Sequence, residues 1–347
     1  MTPTMSILAS EIASQPDTVG RFFDRQIEPA RKLIAGLPNF SYVMLAARGS
    51  SDHTGLYAQY LWGILAGLPV ALAAPSVNTL YRRSLRLDDA LVVGISQSGQ
   101  SPDIVAVVEE GRRQGRPTIA VTNDAASPLA KAADDVIALE APERSIAATK
   151  TYTSQLAAVA LLGAVWSRDL KRLDELKSLP QQMERTLAAA GPSADRAAAE
   201  LKDAAMFTAL ARGLSLGTAH EAALKLRELA RLPTQGYSAA DFRHGPIAVL
   251  SQGLPILMIM PSGDTFEDMA DLERQLAAGG ARLYAVSDDA RVAANATVHL
   301  PTATVSEWLS PLVSVLPVQK LAVAIAYARG FDPDNPRGLP QKVVRTL

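Results

Sequence analysis

Two loops concentrate the hydroxyl groups of this chain at places where an anion could bind. Arg48-Gly49-Ser50-Ser51 follows the apolar run Tyr42–Ala46, and Ser96-Gln97-Ser98-Gly99-Gln100-Ser101 follows Leu91–Ile95 and leads into a helical pattern from Pro102. Hydroxyls and backbone N–H groups at a helix N-terminus donate hydrogen bonds, and the positive end of the helix dipole favours negative charge. The pattern fits a phosphate, and it also fits an N-capped turn, because Ser is a preferred cap. Two such loops in one domain weight the reading toward phosphate. Neither loop has the GxxxxGK[ST] spacing, so a nucleoside triphosphate is not indicated.

A different chemistry is spelled by Glu221, Lys225 and Glu228, which fall at i, i+4 and i+7 on one helical face. Such a stripe is either a solvated face with a salt bridge or a set of acid and base groups. His244, followed by Gly245-Pro246, sits in a turn where an imidazole can exchange protons near neutral pH. His53 and His299 carry no pattern and read as structural. The four histidines are too scattered to form a ligand pair, and there is no cysteine. No metal or organic cofactor is expected, and disulfides and cysteine nucleophiles are excluded within this sequence.

The elements that position these residues are set by an internal repeat. An offset of 164 residues carries Arg48 onto Arg212, and Ala47–Pro69 then matches Ala211–Pro233 at ten of 23 positions. The same offset lays Ser98-Gly99-Gln100-Ser101 over Ser262-Gly263-Asp264-Thr265, and one inserted residue brings Ile119-Ala-Val-Thr-Asn onto Tyr284-Ala-Val-Ser-Asp. Glu221, Lys225 and Glu228 fall on Tyr57, Leu61 and Ile64, so the first copy suits an anion and the second offers the acid/base face. Copy one alternates apolar runs (Tyr42–Ala46, Val70–Ala74, Leu91–Ile95, Thr118–Val121, Asp135–Leu139) with helical patterns at Thr54–Ala66, Pro102–Gln114 and Thr149–Arg168. Copy two supplies Phe207–Ala211, Ile256–Met260, Leu283–Val286 and Thr297–Leu300, with helices over 218–230, 265–278 and 305–328. Short apolar runs alternating with helices predict parallel strands covered on both faces, an α/β class with two tandem three-layer α/β/α domains related by duplication. The division expected is a helical extension over 1–39, a phosphate-binding domain over 40–168, a helical bridge over 169–203, an acid/base domain over 204–328, and a tail over 329–347.

The 347 residues carry 34 Lys+Arg against 35 Asp+Glu, a net charge of −1, and 48% hydrophobic residues. That is globular composition, without the basic excess expected of a nucleic-acid or membrane-surface binder. Residues 1–20 lack the basic start of a signal peptide. The uncharged stretch Thr54–Tyr81 is broken by Gly63, Gly67, Pro69 and Pro75, which predicts a helix, a turn at Gly67-Leu68-Pro69 and a short buried strand rather than a membrane span. A cytoplasmic protein is expected.

With these residues assembled, the chain resembles the sugar isomerase (SIS) domain family. The duplicated Arg-Gly-Ser-Ser and Ser-Gln-Ser-Gly-Gln-Ser layout carries the likeness. Glu143-Arg-Ser-Ile-Ala-Ala-Thr-Lys150, His220-Glu-Ala-Ala-Leu-Lys-Leu-Arg-Glu228, Arg243-His-Gly-Pro246 and Asn335-Pro-Arg-Gly-Leu339 narrow it. They are similar to the isomerase half of glutamine–fructose-6-phosphate aminotransferases, and more so to stand-alone SIS-type glucosamine-6-phosphate deaminases. The resemblance implies that a sugar phosphate lies on Gly49, Ser50, Ser51, Ser96, Gln97, Ser98 and Ser101, with backbone help near Ile146. It implies that Glu228 moves a proton between C1 and C2 beside Lys225. His244 assists ring opening from across a homodimer interface, which makes the active site shared. In the aminotransferases a C-terminal Lys forms an imine. Lys342 is its counterpart here, although Gln341 occupies the ungapped position. The resemblance further implies deamination and isomerisation of an amino sugar phosphate, with a plain aldose–ketose isomerase and a non-catalytic sugar-phosphate sensor as the alternatives. With no glutaminase cysteine, the chain is expected not to draw ammonia from glutamine.

Overall fold

A computed structural model describes residues 6–338. Within them, Asp17–Glu143 and Lys150–Ser178 form one compact unit, while Arg144–Thr149 joins the residues up to Pro16 and those from Leu179 onward in the other.

The first unit is built on a parallel sheet of β1 (Tyr42–Ala46), β2 (Val70–Leu72), β3 (Ala90–Ser96), β4 (Thr118–Thr122) and β5 (Asp135–Ala138) in the order β2-β1-β3-β4-β5. The central strands β3 and β4 are buried along their whole length, as strands covered by helices on both faces must be. On one face lie helices Pro102–Arg113 and Pro128–Ala132, with Ile104, Val107, Val108 and Leu129 meeting Val92 and Ala120. Helices Ser50–Ala66 and Lys150–Trp166 pack on each other, joined by the Trp62 indole N–H, which donates to the Val159 carbonyl at 2.9 Å. The uncharged stretch does form a helix ended by Gly67 in the left-handed conformation and then a strand. That strand is a half-exposed edge, not a buried one.

The second unit repeats the topology with β6 (Phe207–Ala211), β7 (Thr234–Ser238), β8 (Pro255–Ile259), β9 (Arg282–Ser287) and β10 (Val298–Pro301), ordered β7-β6-β8-β9-β10. Alternate residues serve opposite faces: Leu257, Ile259, Tyr284 and Val286 join one core and Ile256, Met258, Leu283 and Ala285 the other. The apolar runs missed β7, whose sequence Thr-Gln-Gly-Tyr-Ser is polar because it forms the sheet edge. Only the repeat could reveal it, since the 164-residue offset carries β2 onto it. Gly236 in β7 lies so close to the helix Leu216–Ala230 that a Cβ there would sit 2.9 Å from the Ala219 carbonyl oxygen. That neighbour is backbone and cannot swing aside. Gly236→Ala is therefore expected to destabilise the fold by about 1–3 kcal/mol, read as a lower denaturant midpoint.

The helix Ser310–Ala328 fills the core beside Leu216–Ala230. The stretch Glu307–Ala328 is long and apolar enough to cross a bilayer, but 89% of its most apolar window is buried inside the protein. Near it, the short helix Ile7–Ala13 is capped from far along the chain: the N–H groups of Ile7 and Leu8 donate to the two Asp334 carboxylate oxygens, both at 2.8 Å.

One buried acid lacks full compensation. Glu273 is 3% exposed, accepts from Asn295 at 3.3 Å through one oxygen, and has no partner on the other. Burial pushes its carboxyl above the usual range, outweighing Asn295, Arg274 and His299. A carboxyl with a raised folded-state pKa favours the fold below its unfolded pKa, and that contribution is lost as pH rises through the folded value. Glu273→Gln should therefore raise the melting temperature at pH 8 and gain less at pH 4.5. A gain that did not shrink on acidification would contradict this.

Candidate active site

In each sheet the strand order reverses at one point, between β1 and β3 and between β6 and β8, and the crevice beyond the carboxyl ends there is where open α/β sheets bind ligands. Both hydroxyl-rich loops of the first unit lie at that point. Gly49 takes a φ of 57° and turns the chain from β1 into the helix Ser50–Ala66. Arg48 spans to the other loop's helix, its Nε donating to Asp103 Oδ2 at 2.9 Å. Ser51 is buried and accepts from the Gln155 amide at 2.9 Å. Burial pushes the neighbouring Asp52 carboxyl above its usual range, against the pull of His53 and Arg48.

In the second loop, Ser96 Oγ accepts from the Gly99 N–H at 3.2 Å and Ser98 Oγ from the Gln100 N–H at 3.3 Å. Ser101 occupies the N-cap position of Pro102–Arg113, but its side chain makes no capping bond. Gln97 is steered by Glu143, a residue that the loop pattern alone did not single out: the Gln97 amide donates to Glu143 Oε2 at 3.3 Å. Glu143 also accepts from the Lys150 N–H at 2.7 Å and from the Thr151 hydroxyl, so it caps the helix Lys150–Trp166.

The second unit carries the charged stripe. Glu221 and Lys225 are 0% and 1% exposed, so the stripe is not a solvated face. Lys225 Nζ lies 2.5 Å from Glu228 Oε2 and 3.6 Å from Glu221 Oε1. Glu228 keeps 19% of its side chain exposed. One buried ammonium thus serves two carboxylates, of which one reaches solvent. His244 ends the short helix Ala239–Arg243 and is exposed. Its neighbour Arg243 is fixed by Asp268 at 3.1 and 3.2 Å, and Asp268 also meets Arg212 Nε at 3.2 Å, the second repeat's version of the Arg48–Asp103 pair. Ile146 belongs to the same unit, in a segment tied down by the buried Glu11, which accepts the N–H groups of Arg144 (2.6 Å) and Ser145 (3.1 Å). Lys342 and Gln341 lie outside the described residues. Among the described residues no group of three or more His, Asp or Glu side chains is placed to hold a metal ion.

The SIS domain model matches twice, over residues 41–164 and 200–329, each span holding one five-stranded sheet. The chain belongs to the SIS domain family. Glutamine–fructose-6-phosphate aminotransferase [isomerizing] of Thermococcus kodakarensis is 34% identical to this SIS protein over 97% of the chain and 57% of its own length. The chain thus spans little more than half of that curated relative. A solved structure from Silicibacter pomeroyi DSS-3, provisionally assigned as a phosphosugar isomerase, is 34% identical, covers 95% of this chain and all of its own, and superposes with a TM-score of 0.85. Glucosamine-6-phosphate deaminase of Thermotoga maritima shares the fold at 22% identity, with a TM-score of 0.79 over 97% of this SIS chain and 99% of its own.

Proposed function

We propose that this protein deaminates and isomerises an amino sugar phosphate, converting glucosamine 6-phosphate and water to fructose 6-phosphate and ammonia. The observation that carries the reading is the Glu221–Lys225–Glu228 set, in which one buried lysine reaches both a buried carboxyl and a partly exposed one. Ser96, Ser98 and Ser101 take the phosphate at the N-terminus of Pro102–Arg113, with Ser50 and Ser51 from the neighbouring loop. His244, exposed at its turn, assists ring opening to the aldehyde and serves the site of a second copy in a homodimer. Glu228 removes the C2 proton, acidified by the C1 carbonyl, while the C1 oxygen takes up a proton. Return of a proton to C1, with loss of one from nitrogen, leaves a C2 imine. Water adds to the imine and ammonia departs, giving the ketose. The 34% identity to an isomerizing aminotransferase supports proton transfer between C1 and C2. The 347 residues contain no cysteine, so a thioester route to glutamine nitrogen is closed within them.

Purified protein given glucosamine 6-phosphate alone should release fructose 6-phosphate and ammonia in equal amounts, and glutamine with fructose 6-phosphate should yield no amino sugar. If the amino sugar phosphate stays inert while a neutral aldose phosphate is isomerised, deamination is wrong and plain isomerisation replaces it. If neither reacts but both raise the melting temperature, the protein is a sensor.

A further inference from the structure

The duplication gives the second unit a copy of the phosphate loop, Ser262-Gly263-Asp264-Thr265, at the N-terminus of the helix Phe266–Ala278. That copy already holds an anion of the chain's own. The Asp264 N–H donates to Glu307 Oε2 at 2.9 Å, and the Thr265 hydroxyl donates to Glu307 Oε1 at 3.3 Å. The carboxylate presses so closely on the turn that a Cβ on Gly263 would overlap its carboxyl carbon. A second carboxylate, Asp288, accepts the Ser262 N–H at 2.8 Å.

The first repeat is arranged the other way. Glu143 stands at the 164-residue offset from Glu307, also in the connection from the fifth strand to the closing helix. Its carboxylate accepts from Lys150, Thr151 and Gln97. Gln100, the counterpart of Asp264, donates its N–H to Ser98 within its own loop, and Ser101, the counterpart of Thr265, makes no capping bond. Where the second repeat has Asp288 after β9, the first has the neutral Asn123 after β4. The N–H group and hydroxyl that an external phosphate would need are held by a carboxylate in the second repeat and not in the first. The two carboxylates also repel a dianion.

We propose that Glu307 is an internal surrogate for phosphate: it occupies the second repeat's anion loop and restricts each chain to a single phosphate-bearing ligand, held by the first repeat. The inference rests on the reading of Ser96–Ser101 as a phosphate loop, and the test separates the two. Equilibrium dialysis against radiolabelled inorganic phosphate should give one phosphate per wild-type chain and none per chain of Ser98→Ala. The double variant Glu307→Ser, Asp288→Asn removes both carboxylates from the loop, leaves the Asp264 N–H and the Thr265 hydroxyl to an external anion, and should bind two. One phosphate in wild type and still one in a double variant of unchanged circular dichroism would overturn the role of Glu307. No phosphate in wild type would instead overturn the reading of the first loop. A measurement without variants decides the same question should the double variant not fold. Wild-type crystals soaked in phosphate should show it at Ser96–Ser101 and not at Asp264, and phosphate at Asp264 with Glu307 displaced would refute the proposal.

Discussion

Glu228→Gln should retain the affinity for the sugar phosphate while turnover falls roughly 10²–10⁴-fold, the usual contribution of a positioned general base. The amide preserves the shape of the side chain and leaves Lys225 an oxygen to donate to, so the helix should keep its place. Only the basic oxygen is lost. The measurement is a paired one, with kcat from ammonia release and dissociation constant from thermal shift against substrate concentration. A variant that turns over near the wild-type rate would mean that the partly exposed carboxylate is an ordinary ion-pair partner. A variant that also lost binding would point to a role in holding the sugar.

The second large effect is on stability. Lys225→Leu places at this position the residue that the first repeat carries at Leu61. The volume is tolerable, but Glu221, 0% exposed, then loses the ammonium 3.6 Å away. Breaking a buried ion pair by removing one partner typically costs about 3–5 kcal/mol, because the remaining charge is uncompensated. The double variant Glu221→Leu, Lys225→Leu should recover much of that loss, since apolar replacement of a whole buried pair is often neutral. Chemical denaturation of the two variants distinguishes the cases. Equal destabilisation of both would mean that the cost lies in packing and not in charge.

The stripe illustrates what could be read in advance. Its three residues were visible at helical spacing, but spacing says only that they share a face. Whether that face meets water depends on neighbours distant in sequence, which helical spacing does not reveal. The two parallel sheets were legible because their central strands are continuous apolar runs, bounded almost where the strands begin and end. The edges were less so. Val70–Leu72 read as buried and Thr234–Ser238 did not register, because edge strands need not be apolar on both faces. The hydroxyl loops were found from composition alone. The contacts of Glu143 and Glu307 with those loops were not, because both lie over forty residues beyond the loops they serve and composition does not say which distant carboxylate meets which loop.

The cap that Asp334 places on the helix Ile7–Ala13 closes a loop of 326 residues from Leu8. At ribosomal rates of roughly 5–20 residues per second, about 15–65 s separate the synthesis of the helix from that of its cap. For that interval a marginal seven-residue helix, which buries Leu8 and Ile12 in the native core, has its local Ser6 cap but neither the Asp334 acceptor nor the final core helix to pack on. The second sheet likewise waits for its last and most apolar covering helix. The first unit's described residues end at Ser178, so it can condense while the remainder is still being made. The chain should therefore fold vectorially, with the first sheet as an early, self-sufficient unit. The second should be the chaperone-dependent, aggregation-exposed step, completed only as the helix Ile7–Ala13 and Asp334 join.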